Sequence, residues 1–299
     1  MNEPAALAGG QCRVAQNQGG NMSDFPKDAA SCVQLNDGHA MPWIGLGVWE
    51  TPPDETADVV RTAIELGYRA VDTARLYRNE AGVGEGLKGH PAMFVTTKVW
   101  NDEQGYDSTL KAFDESARLL QRDVVDLYLI HWAMPQQGLY VETWKALIDL
   151  QKQGRVRSIG VSNFEKDHLQ RIMDETGVVP AVNQIEIHPF FQQEELRAFH
   201  KSVGIQTEAW RPLGKGTVLN NELIGDIARR HGKSPAQVIL RWHLQNGVIV
   251  IPKSVHRERM AENLDLFDFV LPEQEMAAIA TLHRADGRMG ENPANPVFG

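Results

Sequence analysis

The feature that most constrains this chain is an alternation. From residue 40 onward, short apolar runs of strand length recur, separated by stretches with the 3.6-residue spacing of amphipathic helices. Strands are expected at 43–47, 69–71, 94–97, 124–130, 156–161, 181–185, 205–209 and 248–251. Helices are expected at 54–66, from about 79, at 106–120, 139–152, 165–175 and 194–201, then at 223–230 and 235–244. Asp54 can cap the first helix and Gly67 can stop it. Strands joined mainly by single helices run parallel through right-handed crossovers. Such a sheet either closes into a (β/α)8 barrel or stays open and doubly wound. A polar residue follows strand after strand: Asp72, Lys98, His131, Ser162, Gln184, Trp210 and Lys253. A barrel gathers all those ends around one mouth, which an open sheet does not. The expected fold is therefore α/β, a single (β/α)8 TIM barrel.

The chain has 299 residues, 42% of them hydrophobic, enough for one large core. Residues 31–299 are expected to form the barrel with a C-terminal substrate loop, after a disordered extension over 1–30. Residues 1–20 are rich in Ala, Gly, Gln and Asn and lack the charged-then-apolar order of a signal peptide. The formal charge is −9 with no Lys/Arg run, so neither nucleic acid nor an anionic membrane is an expected partner. Apolar runs stay well short of the ~20 residues of a membrane span. Cys12 and Cys32 are the two cysteines, with no Cys-x-x-Cys or His/Cys cluster to bind a metal. A core of this size needs no disulfide framework, and a reducing cytoplasm is expected.

Gly84-Glu85-Gly86-Leu87-Lys88-Gly89 matches the G-x-G-x-x-G dinucleotide pattern literally. That pattern works directly after a strand, where backbone N–H groups meet a pyrophosphate. Here it falls inside or at the end of a helix begun near Asn79, and reads as a glycine-rich helix end.

Asp72, Tyr77, Lys98 and His131 lie at or just past the ends of three successive strands. Singly, each has an ordinary reading as a cap, a packed ring, a solvated ammonium or a rim histidine. Together they have matched chemistry. A phenol with a pKa of about 10 is a poor acid or base until tuned. A nearby ammonium stabilises phenolate, a carboxylate holds the ammonium charged, and a histidine adds a hydrogen bond to the same oxygen. Tyr77, Lys98 and Asp72 then form a relay aimed at a carbonyl oxygen becoming an alkoxide. No side chain supplies hydride, so a nicotinamide cofactor is implied.

At this point the sequence resembles the aldo-keto reductase family. The resemblance rests on Asp72-Thr73-Ala74, Tyr77, Asn79-Glu80, Thr96-Thr97-Lys98-Val99-Trp100, Leu129-Ile130-His131-Trp132, Ile159-Gly160-Val161-Ser162-Asn163-Phe164, Asn183-Gln184-Ile185-Glu186-Ile187-His188-Pro189 and Ile251-Pro252-Lys253-Ser254. Ala209-Trp210, Pro212-Leu213-Gly214 and the stretch from Arg257 to Phe269 are most similar to the bacterial 2,5-diketo-D-gluconate reductase branch. The resemblance implies a monomeric barrel that binds NADPH (NADP+) without a Rossmann fold and reduces aldehydes, ketones or small dicarbonyls. It implies Tyr77 as proton donor, Lys98 and Asp72 as its tuners, and His131 orienting the carbonyl. Ser162, Asn163 and Gln184 would hold the carboxamide and Trp210 would stack on the nicotinamide. Leu213 and the neighbouring backbone of Arg211 and Pro212 would line the pyrophosphate. Lys253, Ser254, Val255 and Arg259 would take the 2′-phosphate, with Glu262 and Asn263 near the adenine. Trp49, Trp100 and Trp132 would wall the substrate pocket.

The chain departs from the family pattern at His256, where an arginine is usual, at Arg211, in place of a small residue, and at Ala133, in place of proline. The connection from 88 to 93 is also short. Arg211 has two readings, one facing solvent and one on the pyrophosphate. Two other functions compete. A Schiff-base lyase would use Lys98, though Asp72 beside it opposes the depressed pKa that such chemistry needs. A non-catalytic NADPH-binding barrel subunit is the other, against which the intact set of four residues argues.

Overall fold

The computed structural model describes residues 13–14 and 26–298. Its first sheet is small. Strand β1 (Arg13–Val14) runs parallel to β2 (Ser31–Gln34), and β2 is antiparallel to β3 (Ala40–Pro42). The turn between β2 and β3 is tied under the larger sheet by Asn36, whose Nδ2 donates to Pro180 O at 3.0 Å. The extension expected to be disordered lies mostly outside the described residues. Cys32 is buried and disulfide-bonded, a bond that the sequence reading did not anticipate.

The second sheet carries β4 (Leu46–Gly47), β5 (Ala70–Asp72), β6 (Phe94–Val99), β7 (Val125–Ile130), β8 (Val156–Ser162), β9 (Val182–Glu186), β10 (Gln206–Trp210) and β11 (Ile249–Val250). Each pairs in parallel with its neighbour in chain order. The ends then meet. Gly45 N donates to Val250 O at 2.9 Å, Val250 N to Trp43 O at 3.1 Å and Gly47 N to Pro252 O at 3.3 Å. A Cβ on Gly47 would sit 2.8 Å from Ile251 O, so this seam needs glycine. The sheet is thus closed, and the choice between barrel and open sheet is decided by hydrogen bonds that the sequence pattern does not contain.

Outside lie α1 (Thr56–Leu66), α2 (Glu80–Gly86), α3 (Tyr106–Leu120), α4 (Tyr140–Lys152), α5 (Lys166–Thr176), α6 (Glu194–Val203), α7 (Glu222–His231), α8 (Pro235–Gln245), α9 (Arg257–Leu264) and α10 (Glu273–Ala280). Gly67 ends α1 in the left-handed region at φ 109°, but the N-cap position falls on Glu55 with no side-chain cap, so Asp54 does not play that part. Of the three glycines in the G-x-G-x-x-G match, Gly84 and Gly86 sit on α2 and serve packing, while Gly89 lies in the turn after it at φ 81°. A Cβ on Gly84 would lie 2.6 Å from Leu119 O, and one on Gly86 2.7 Å from Val60 Cβ. Their missing side chains let α2 press against α3 and α1, and they lie away from the strand ends. After α10 the chain crosses the barrel mouth without regular structure.

Candidate active site

Asp72 ends β5 and Lys98 is the fifth residue of β6, one residue before that strand stops. Parallel pairing sets Asp72 beside Thr96, so Asp72 and Lys98 share one face of adjacent strands. Lys98 Nζ donates to Asp72 Oδ1 at 2.6 Å and to Thr73 O at 2.9 Å, and both side chains are buried. Tyr77 lies in the short 3-10 turn Arg75–Tyr77 directly after β5. Its ring centroid is 5.2 Å from Lys98 Nζ, 5.8 Å from the His131 ring and 4.7 Å from the Trp49 ring. His131 follows β7, anchored by its N–H to Val99 O at 3.2 Å. The four residues that the pattern singled out therefore meet at the C-terminal mouth of the barrel.

Their proton affinities are set mainly by dryness. Burial pushes the Tyr77 hydroxyl up to about 12; Lys98 draws it down and Asp72 adds to the rise. The lysine was expected to leave the phenol with a net lowered pKa, but burial outweighs it. Tyr77 is thus fully protonated at neutral pH. Burial lowers Lys98, yet Asp72 and Tyr77 outweigh it and hold the ammonium above its ordinary value. Burial and Lys98 keep His131 well below the ordinary imidazole range, so it is neutral.

Beside these groups lies a second polar network. Gln184 Nε2 donates to Asp72 Oδ2 at 2.9 Å and to Glu208 Oε2 at 2.8 Å. Ser162 Oγ donates to Gln184 O at 2.8 Å. Asn163, in the left-handed region at φ 57°, donates from Nδ2 to His131 O and to Ser162 Oγ, each at 3.0 Å. Its Oδ1 accepts from Trp210 Nε1 at 2.8 Å, which orients the indole. Both amide hydrogens of Asn163 and of Gln184 are engaged. The capacity left is acceptor capacity on their oxygens, which suits the NH2 of a carboxamide.

Around the start of α9, Lys253 and Arg259 are exposed, and neither pairs with a carboxylate among the described residues. Ser254 Oγ accepts from His256 N at 3.1 Å, and Val255 packs against the core. Asn263 is buried, while Glu262 accepts from Ser234 Oγ at the head of α8. The unpaired cations at a helix N-terminus suit a phosphate. Arg211 does not extend into water. Its guanidinium carbon lies 4.9 Å from the Trp210 ring centroid and Nη1 donates to Met289 O at 3.3 Å. Pro212 is buried and its carbonyl accepts from His243 Nε2 at 3.1 Å, while Leu213 is half-buried.

Trp49, Trp100 and Trp132 do gather here. Trp100 stands 5.0 Å from the His131 ring, and Phe298 joins Trp100 and Trp132, each at 5.2 Å. Phe298 was not singled out from the sequence, because nothing local marks a residue near the chain end as part of a mouth. Two carboxyls were also missed. Glu186 Oε1 and Oε2 accept from Met289 N at 2.7 Å and Gly290 N at 2.8 Å, fastening the terminal segment over the rim. Glu208, fully buried on β10, sits behind Gln184. Its signal was a charged residue inside an apolar strand, two residues before Trp210.

The sequence model of the Aldo/keto reductase family matches residues 43–284. A solved structure of a Gox0644 variant in complex with NADPH superposes with a TM-score of 0.89 at 67% identity, covering 90% of this chain and 99% of that one. The glyoxal reductase of Bacillus subtilis is 48% identical over 92% of this chain and 100% of its own length. The methylglyoxal reductase DkgA of Escherichia coli K12 is 47% identical over 87% and 96% respectively.

Proposed function

The chain belongs to the aldo/keto reductase family, and from that premise we propose that its substrates are small dicarbonyl compounds, with Tyr77 as the proton donor. It is an NADPH-dependent oxidoreductase that reduces aldehydes and ketones to alcohols. The observation that carries the residue roles is the buried Asp72–Lys98 pair set beneath Tyr77 and beside neutral His131.

NADPH, when bound, supplies the hydride to the carbonyl carbon. Asn163 and Gln184 offer acceptor oxygens for its carboxamide, Trp210 a ring face, and Lys253 and Arg259 cations for the 2′-phosphate. Tyr77 gives its proton to the carbonyl oxygen as negative charge develops there. The phenolate left behind faces the Lys98 ammonium, which Asp72 keeps charged. His131, neutral, adds a hydrogen bond to the same oxygen without competing as an acid. A Schiff-base role for Lys98 is opposed by its raised proton affinity and by its two hydrogen bonds, to Asp72 and Thr73.

The dicarbonyl reading draws on the relatives named for glyoxal and methylglyoxal, and on a mouth walled by Trp49, Trp100, Trp132 and Phe298. The same branch makes 2,5-diketo-D-gluconate a further candidate. The enzyme is taken to act as a monomer in the cytoplasm; among the described residues no helix is long and apolar enough to cross a membrane. The Cys32 disulfide pulls the other way, since such bonds persist in oxidising compartments. Alkylating the protein at cell lysis and counting free thiols decides that point. The function is tested by following NADPH oxidation with glyoxal, methylglyoxal, 2,5-diketo-D-gluconate and monocarbonyl controls. Dicarbonyls should give the highest kcat/KM, and Tyr77→Phe should lower kcat by about 10³-fold while NADPH binding holds. Monocarbonyls turned over equally well would refute the substrate class, and an active Tyr77→Phe the role of the phenol.

A further inference from the structure

Lys98 is the one cation in a dry cluster that holds two carboxyls. Asp72 takes the ion pair at 2.6 Å, and Glu208 reaches the pair only through the shared Gln184 amide. The groups facing Glu208 are Asp72 from β5, Tyr77 from the turn after it, Lys98 from β6 and Gln184 from β9, with His131 beyond Lys98. Apart from Thr96, the rest of its surroundings are apolar: Met41, Val71, Ile249 and Ile251 line a space beneath it with no room for a water molecule. Glu208 Oε1 has no hydrogen-bond partner. An anionic oxygen so placed would be unsolvated and would face Asp72 with the single ammonium already paired. A neutral acid there, with Oε2 accepting from Gln184, avoids both costs.

We propose that Glu208 is a positioning residue of this active site: held as a neutral acid, it shares the Gln184 amide with Asp72, and its ionisation shuts carbonyl reduction down. The inference rests on the reductase reading above. Loss of the Glu208 proton would put a second negative charge behind Tyr77 and strengthen the phenol's hold on its proton while the substrate oxygen needs it. It would also repel Asp72 across the amide that sets the Gln184 side chain. Burial and Asp72 push the Glu208 carboxyl up to about 8, whereas Tyr77 stands at about 12 and His131 far below neutrality. Ionisation in the mildly alkaline range therefore belongs to Glu208.

The test compares wild type with Glu208→Gln, which keeps the shape and cannot ionise. The first measurement is kcat for methylglyoxal at saturating NADPH from pH 6 to 10. Wild type should fall about tenfold per pH unit above its alkaline limb near 8, and the limb should vanish in the variant. The shape of the profile is the readout, not its height. The second measurement needs no substrate: thermal stability against pH. Between about 4.5 and 8 the unfolded wild-type chain has lost a proton that the folded one keeps. Its folding constant should then fall about tenfold per pH unit relative to the variant across that window. Identical alkaline limbs in the two proteins, or a stability difference flat in pH, would overturn the proposal. If the variant folds poorly, a wild-type kcat flat to pH 10 overturns it alone. An enzyme inert to every carbonyl would instead sink the reductase reading and with it this role for Glu208.

Discussion

Replacing Asp72 by Asn removes one charge from the centre of the site and almost no volume. Asp72 Oδ1 meets Lys98 Nζ at 2.6 Å and Oδ2 meets Gln184 Nε2 at 2.9 Å, so both oxygens accept. An amide can offer an oxygen to one of those donors only, and its NH2 must face the other. Breaking a buried ion pair by removing one partner costs ~3–5 kcal/mol, because the remaining charge is uncompensated. The lower end is expected, since Glu208 can ionise and supply part of the lost countercharge. At roughly 2 °C per kcal/mol for a chain of this size, Tm should fall by about 6 °C at pH 7. The loss should shrink as pH rises. In wild type Lys98 is held above its ordinary value; in the variant burial pulls it below. Between that lowered value and ~10.4 the unfolded variant binds a proton that the folded variant does not, so its stability climbs with pH while that of wild type does not. Turnover should fall ~10²-fold through the loss of a charged lysine beside Tyr77. The assays are thermal melts from pH 6 to 10 and steady-state kinetics at pH 7. A Tm within 1 °C of wild type, or a gap that widens with pH, would refute the ion-pair argument.

Two further predictions concern the cofactor. Lys253→Met combined with Arg259→Ala should weaken NADPH by ~10-fold or more and leave NADH nearly unchanged, because charge-assisted contacts to a 2′-phosphate are worth ~1.5–3 kcal/mol; His256, an imidazole where an arginine is usual, should make the wild-type preference moderate. Paired cofactor titrations decide it, and equal losses for both cofactors would move the cations to the pyrophosphate. Arg211→Ser should weaken NADPH and NADH alike, since the guanidinium braces Trp210, and should also speed proteolysis after residue 284 by freeing Met289 O; unchanged cutting of the terminal segment would show that the Glu186 contacts alone hold it.

The alternation of apolar runs and helical spacings was enough to place the strands and the polar residues at their ends, because both depend on local periodicity and burial. Asp72, Tyr77, Lys98 and His131 could be chosen for the same reason: each is a reactive group at a strand end. Closure could not be read that way. It rests on hydrogen bonds between Gly45 or Gly47 and a strand some two hundred residues later, and periodicity carries no information about such partners. Net proton affinities were likewise beyond the sequence. The ammonium near Tyr77 was legible, but the depth of burial that outweighs it is a property of the assembled barrel. Glu208 shows the same limit: its strand was legible, but only the packed sheet reveals that its carboxyl meets Asp72 through Gln184. Phe298 and Met289 reach the mouth because the terminal segment folds back across it, fastened by Glu186 at the end of β9 and Arg211 just after β10, both far upstream. Local chemistry chose the reactive groups, and long-range packing decided what surrounds them and so which of their protons can move.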